Sequence, residues 1–461
     1  MKTKLITHDV MSGNVYRRYL VTTEFEIDQF VKKAQDAIKD WSRVPILSKQ
    51  KILRRVAEEL LSEKERIIDA EVCESGKFRD DAMSDLYASS KLWLMAAENL
   101  DRQGAEHTPN KSELVDGHEL HDPVGVVAMI TPSNYPLIVL SERLPFALAA
   151  GCAVVAKPSE FTPTSTLIVQ QICHHCGVPP EIFSVVVGDG AQSGVKLISN
   201  VSIGMVSFTG STKTARSIMS RIDPINVRTS FELGGKNSAV IFEDANIEQA
   251  CESVAYASTI NGGRACIAVS RVLAHSSIVD DVKAVLKRKL IERLAVNREL
   301  YGADLPQPIT KGHGKILRSW ANKALKLGAR EILIDSNKKG HVVPRIFYDL
   351  SPFEPLFSEE LFAPYLTLNS FNVYEEAIAI ANAGHYGLAG YCWTNSETTS
   401  ERFSRDIYAG RIWINSDMRR MEIRLPIGGF RDSGYGRELG DDAIKRYTAS
   451  KTIIGTQRSR S

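Results

Sequence analysis

Two short segments carry residue types suited to covalent chemistry. Glu232-Leu233-Gly234-Gly235-Lys236 follows a β-rich run, and Asn261-Gly262-Gly263-Arg264-Ala265-Cys266 places a thiol 34 residues after the glutamate. A thiolate is the attacking form of cysteine and needs a partner base or a local positive field, so a carboxylate and a thiol at glycine-rich turns make a candidate base and nucleophile. Most cysteines are instead buried small hydrophobes, and Cys73, Cys152, Cys251 and Cys392 sit in apolar or helical contexts of that kind. Cys173-His174-His175-Cys176 has metal-like spacing, but it lacks a second CxxC or HxxxH and closes an amphipathic helix. It reads as a helix terminus rather than a zinc site, and no metal is expected.

Two further segments suit phosphate and sugar. Phe208-Thr209-Gly210-Ser211 passes from a β run into a helix, where unpaired N–H groups and the helix dipole attract phosphate, although the spacing is not GxGxxG. In AVVAKPSE, Lys157 and Glu160 fall just beyond a strand's carboxyl end, where open α/β sheets bind ligands. An acid there accepts bonds from ribose hydroxyls and repels a 2′-phosphate; a solvated loop pair is the plainer alternative.

These residues need a scaffold. Thr23 and Glu26 have capping-box spacing, followed by Ile27, Phe30, Val31, Ala34 and Ile38 on one stripe, and Ile52 to Ile68 repeats the pattern with Leu53, Val56, Leu60 and Leu61. The chain is therefore expected to begin with amphipathic helices. From residue 124, β-branched runs (GVVAMI, AVVAK, SVVVG, MVSFTG) alternate with helix-like stretches, which predicts a parallel sheet flanked by helices. A second alternating region runs from SAVIFE at 238 to RIWIN at 415, and the polar stretch 102–122 suits a protruding hairpin.

Composition bounds the answer. The chain has 461 residues, of which 43% are apolar and 24% charged, with a formal charge of +2. That is ample for a large core, with a prior of about three structural units. The balanced charge argues against nucleic acid as a partner, and no span is apolar enough for a membrane. The N-terminus lacks the apolar core of a secretory signal, and an odd count of 7 cysteines argues for reduced thiols and a cytoplasmic location.

In order along the chain, PVGVVAMITPSNYPL, PFALAAGCAVVAKPSEFTP, SFTGST, ELGGK, GRAC, EELFAP, YGLAG and IGGFRDSGYGRELG cover residues 123 to 440. The set resembles the aldehyde dehydrogenase superfamily over residues 27 to 453. The resemblance implies an α/β fold with a Rossmann-like cofactor-binding domain (1–101 and 124–233), an α/β catalytic domain (234–446) and a small β oligomerisation arm (102–123 and 447–461). It implies a homodimer or homotetramer that oxidises an aldehyde to an acid through a cysteine thiohemiacetal and thioester. By resemblance Cys266 is the nucleophile, Asn134 the oxyanion donor and Glu232 the base for deacylation. NAD, rather than NADP, is the implied cofactor. Its contacts would be Ile130, Thr131, Lys157, Ser159, Glu160, Gly190, Gly194, Gly210, Ser211, Leu233, Glu360 and Phe362, and Glu438 matches a second acid.

The chain departs from the family pattern at Ser133, where tryptophan is usual, and at Arg264, where glutamine is common and where a cation could lower the thiol's pKa or meet substrate. Glu142 takes a tunnel position that is often aromatic, and Arg419, Arg420 and Arg424 add charge near the entrance, with Ile427 beside them. The expectation is a polar or charged aldehyde, with surface or structural ion pairs as the alternative for each group. Two rival functions remain: a coenzyme A-acylating semialdehyde dehydrogenase, which commonly lacks the base, and a non-catalytic member of the fold.

Overall fold

The structure is a computed structural model that describes residues 3–103, 116–334 and 341–455. It opens on an antiparallel hairpin, Lys4–His8 with Val15–Leu20, rather than on helices as the sequence suggested. The first helix, Glu24–Ser42, does begin with a reciprocal capping box: Thr23 accepts from the Glu26 N–H and Glu26 accepts from the Thr23 N–H. It buries Ile27, Val31, Ala34 and Trp41. The stripe predicted over 52–68 divides at Glu63 into two helices, Ile46–Ser62 and Lys64–Ser75, and Leu61 is left 36% exposed. The break turns the second helix, so one periodic stripe serves two directions.

Two α/β sheets form the body. The six-stranded sheet has the order Gly434–Tyr435, Arg228–Glu232, Ile203–Thr209, Val126–Ile130, Ala153–Lys157, Phe183–Val185, all parallel except the short edge strand. The strands Val126–Ile130 and Ala153–Lys157 are nearly continuous apolar runs because helices cover both faces. From Val126–Ile130 the chain first builds outward on one side, then returns to place Ile203–Thr209 on the other. The crevice between these two strands at their carboxyl ends is thus a topological switch point.

The seven-stranded sheet has the order Arg330–Leu333, Arg345–Tyr348, Tyr365–Phe371, Val269–His275, Asn237–Ile241, Ala389–Trp393, Arg411–Ile414. Only four residues separate Glu232, at the carboxyl end of one sheet, from Asn237, at the amino end of a central strand of the other. The two sheets meet across this link. Outside both, Asp116–Pro123 pairs antiparallel with Thr448–Gly455. The hairpin predicted over 102–123 falls largely outside the described residues. No helix among the described residues is long and apolar enough to cross a membrane.

Candidate active site

The thiol is presented by a backbone of unusual shape. Asn261, Gly262 and Gly263 all have positive φ, at 46°, 67° and 76°. A Cβ on Gly262 would meet the Pro306 carbonyl oxygen at 2.2 Å, and one on Gly263 would meet the backbone of Ala363 at 2.4 Å. Glycine is therefore required for both conformation and close approach. Cys266 emerges from this turn only partly exposed, and its carbonyl accepts from Asn237 Nδ2 at 2.8 Å, which ties it to the second sheet. Asn134 comes from the loop after Val126–Ile130, is 7% exposed, and donates from Nδ2 to the Arg264 carbonyl at 2.9 Å. One of its two amide hydrogens is so fixed, and the other is free to serve a bound group.

Glu232 closes its strand and is 8% exposed. A Cβ on Gly428 would lie 2.9 Å from its Oε1, and that oxygen has no partner among the described residues. Burial pushes its carboxyl well above the usual range; Arg143 opposes this, while Glu438 and Glu142 reinforce it. Glu438 accepts from Ser230 Oγ at 2.7 Å and Tyr447 Oη at 3.3 Å, and lies 3.3 Å from Arg143 Nε. Ile427 exchanges two backbone bonds with Glu438, both 2.8 Å, so it covers this cluster from the other side. Burial also pushes the Cys266 thiol up to about 12, with Glu232, Glu142 and Glu360 adding to it and the Ile267 N–H opposing.

The charged residues expected at a tunnel mouth fare differently. Arg264 is 3% exposed and donates to Ser75 O, Asn261 O and Asn261 Oδ1 at 2.8–2.9 Å, so it is turned inward as a clamp on backbone and amide rather than standing free at the entrance. Arg419 pairs with Asp417, and Arg424 with Glu98 and Asp441. These are ion pairs of the kind the alternative reading expected, the Arg424 pairs at the surface and the Arg419 pair on a buried Asp417 carboxylate. Arg420 is exposed and lines a shallow depression with Glu252, Asp417 and Arg419. Glu142 caps the helix Pro136–Ser141 with its side chain 17% exposed, 3.7 Å from Arg143. Burial raises its carboxyl to about 7, with Arg143 and Arg411 lowering it and Glu438 and Asp85 raising it.

The cofactor candidates gather at the switch point. Thr131 donates its N–H to Lys157 O at 3.2 Å, and Lys157 Nζ lies 4.0 Å from Glu160 Oε2. Lys157 is 2% exposed, and its ammonium donates to Pro158 O at 3.1 Å. Ser159 Oγ accepts from the Phe161 N–H at 3.3 Å, which shapes the loop carrying Glu160. Ile130 ends the central strand beside Phe208. Gly210 bonds back to Glu232 O, and Ser211 caps the helix Thr212–Met219 by accepting from Thr214 N. Across the crevice, Gly190–Gly194 forms a π-helical turn capped by Asp189, where a Cβ on Gly194 would come 3.4 Å from the Lys157 stem. A buried ammonium, a nearby carboxylate, an open helix N-terminus and a side-chain-free approach together fit a dinucleotide.

Glu360 reaches from the second sheet, accepting from the Gly235 N–H at 3.0 Å, and a Cβ on Gly234 would strike its Oε2. Leu233 is buried and bonded to Ser433 O, and Phe362 holds φ at +54° next to Glu360. The motif reading missed Lys77. Its fully buried ammonium bonds Glu71 and Asp85 and lies 4.7 Å from the Tyr135 ring, directly behind Asn134. Only the fold brings residues 77 and 135 together: Lys77 sits in the turn between the helices Lys64–Ser75 and Arg79–Gln103, where no sequence signal marked it.

A cysteine, an amide and a buried carboxylate facing a dinucleotide crevice define an aldehyde-oxidising class of site. The chain belongs to the aldehyde dehydrogenase family, whose match covers residues 3–453. It is 32% identical over 449 residues to aminoaldehyde dehydrogenase 2 of Zea mays, covering 94% of this chain and 88% of the relative. It is also 32% identical over 448 residues to betaine aldehyde dehydrogenase 1 of Oryza sativa subsp. japonica, with the same coverages. Among solved structures, an NAD-dependent aldehyde dehydrogenase from Sinorhizobium meliloti superposes with a TM-score of 0.92 at 30% identity, over 98% of this chain and 91% of that one. A betaine aldehyde dehydrogenase from Staphylococcus aureus in complex with NAD+ gives 0.92 at 26% identity, over the same shares.

Proposed function

We propose that this chain oxidises a cationic, amine-bearing aldehyde to its carboxylic acid with NAD, through a thioester on Cys266. The observation that carries the reading is the convergence of Cys266, the half-committed Asn134 amide and the partnerless Glu232 oxygen at the end of the dinucleotide crevice. The Cys266 thiol passes its proton to solvent as Sγ attacks the aldehyde carbon, and the oxyanion formed is held by the second Asn134 Nδ2–H and the Cys266 N–H. NAD, when bound, would supply the hydride acceptor. Loss of hydride from the thiohemiacetal leaves a thioester. Glu232 then takes a proton from water, whose oxygen attacks the thioester carbon, releasing the acid and the thiol.

Lys157, Glu160, Gly210 and Ser211 would hold the dinucleotide, with Glu160 favouring a free 2′-hydroxyl. Glu142 supports the amine: it is a buried carboxylate that bears on both Glu232 and Cys266, while three of the arginines considered for an anionic substrate have other partners. The names of the maize and rice relatives point the same way. The two-stranded ribbon 116–123/448–455, lying outside both sheets, supports the division into two domains and an oligomerisation arm. All seven cysteines are free, which suits the reducing cytoplasm.

The test is NADH formation from 3-aminopropanal without coenzyme A, with the acid identified as product. Absence of NADH from a panel of aldehydes would defeat the reading, and a strict requirement for coenzyme A would transfer it to the acylating class.

A further inference from the structure

Arg264 stands two residues before the nucleophile and is not used by the chemistry above. Its guanidinium is buried, and the partners it bonds among the described residues are neutral oxygens, not carboxylates. Burial without a counter-ion opposes folding, so the contribution of this side chain lies in the bonds it directs. Those bonds form a closed ring. Nε donates to Asn261 O at 2.9 Å and Nη2 to Asn261 Oδ1 at 2.8 Å. Asn261 Nδ2 donates to Asn134 O at 2.9 Å, and Asn134 Nδ2 returns to Arg264 O at 2.9 Å. Nη2 also donates to Ser75 O at 2.8 Å, two residues from Lys77, whose ammonium lies beside the Tyr135 ring.

Asn261 is the one residue of the left-handed run that is not glycine, and such a residue holds that conformation only where its surroundings over-determine it. Arg264 grips both of its oxygens. We propose that Arg264 is a positioning residue: it holds the Asn261–Gly263 turn in its left-handed form and thereby aligns the Asn134 amide with Cys266. The ring fixes one hydrogen of that amide on the Arg264 carbonyl, so the direction of the other follows from the same geometry. The glutamine usual at this position in the family can hold at most part of such a ring, because a primary amide has one two-hydrogen donor where guanidinium presents a fork.

The inference rests on Cys266 as nucleophile and Asn134 as oxyanion donor. R264M, R264Q, R264K and N261G are compared by the rate of the first NADH burst with 3-aminopropanal, by KM for the aldehyde and by NAD affinity. Misaligned donors slow acylation by about 10- to 100-fold. That loss is expected in R264M and R264Q, with KM and NAD affinity within about threefold, partial recovery in R264K, and no further loss when N261G is combined with R264Q. A burst rate within about threefold of the parent in folded R264M and R264Q would overturn the proposal. If R264M does not fold, R264Q and N261G decide by the same ratios. C266S separates the two levels: near-normal turnover there would defeat the assignment of the nucleophile itself.

Discussion

Burial and two neighbouring carboxylates raise the Glu232 carboxyl above its usual range, and the hydrolytic step needs it ionised. Its proton affinity is raised, so deacylation should speed up as pH rises, without the early plateau of an ordinary carboxylate. Glu232→Gln should still release about one NADH per site and then stall, with acyl-enzyme visible by intact mass, because the amide cannot accept the water's proton. An unchanged steady-state rate would remove Glu232 from the mechanism. Glu142 makes a second prediction at this scale. Its carboxyl titrates at about 7, so it is neutral below that pH and anionic above it. KM for 3-aminopropanal should therefore fall several-fold between about pH 6 and pH 8 while KM for hexanal stays flat. Glu142→Gln should abolish the difference. If hexanal is the better substrate at both pH values and the variant changes nothing, Glu142 serves only to pair Arg143.

At the scale of elements, the helix Lys64–Ser75 buries Glu74 against the next helix layer. Its carboxylate accepts from Thr164 N at 3.0 Å and Thr164 Oγ1 at 2.5 Å, and burial raises its pKa from 4.5 to about 7. The folded value lies above the unfolded one, so the native state keeps a proton the unfolded chain has lost between about pH 4.5 and 7. Stability from this group is fully present below the unfolded pKa and is lost as pH rises through about 7, by at most about 3 kcal/mol at 1.36 kcal/mol per unit. Glu142 and Glu360, both raised to about 7, act in the same direction. Thermal melts should therefore show Tm falling between about pH 4.5 and 7 and levelling above that, and Glu74→Gln should flatten part of that slope. A slope unaltered by the substitution would mean that Glu74 stays neutral throughout or relaxes toward solvent.

For the whole molecule, the ribbon of Asp116–Pro123 and Thr448–Gly455 leaves both of its outer edges without a strand partner among the described residues. Unpaired edges pair with further strands. Deleting residues 448–461 should reduce the mass measured by light scattering from that of a dimer or tetramer to that of a monomer, while a folded variant of unchanged oligomeric mass would show that the arm is not the contact. Activity of the monomer toward 3-aminopropanal then reports whether the site is complete within one chain.

The parallel sheets and the capping box at Thr23 were legible in the sequence because each depends on local signals, β-branched runs and capping spacing; the glycine-rich turns marked Glu232 and Cys266 as candidates, while Asn134 came only from the resemblance of the ordered motifs. The break at Glu63 and the opening hairpin were not, since a helical stripe can continue across a change of direction and short edge strands leave little periodicity. The charged residues divide on the same principle. A sequence shows that Arg264, Arg419, Arg420, Arg424 and Glu142 carry charge, but charge says nothing of its partner. Only the folded chain decides that Arg424 finds Glu98 and that Arg264 turns inward to Ser75, with Glu142 left beside Arg143. Local backbone conformation is written in neighbouring residues, whereas electrostatic pairing is settled by distances between elements far apart in the chain.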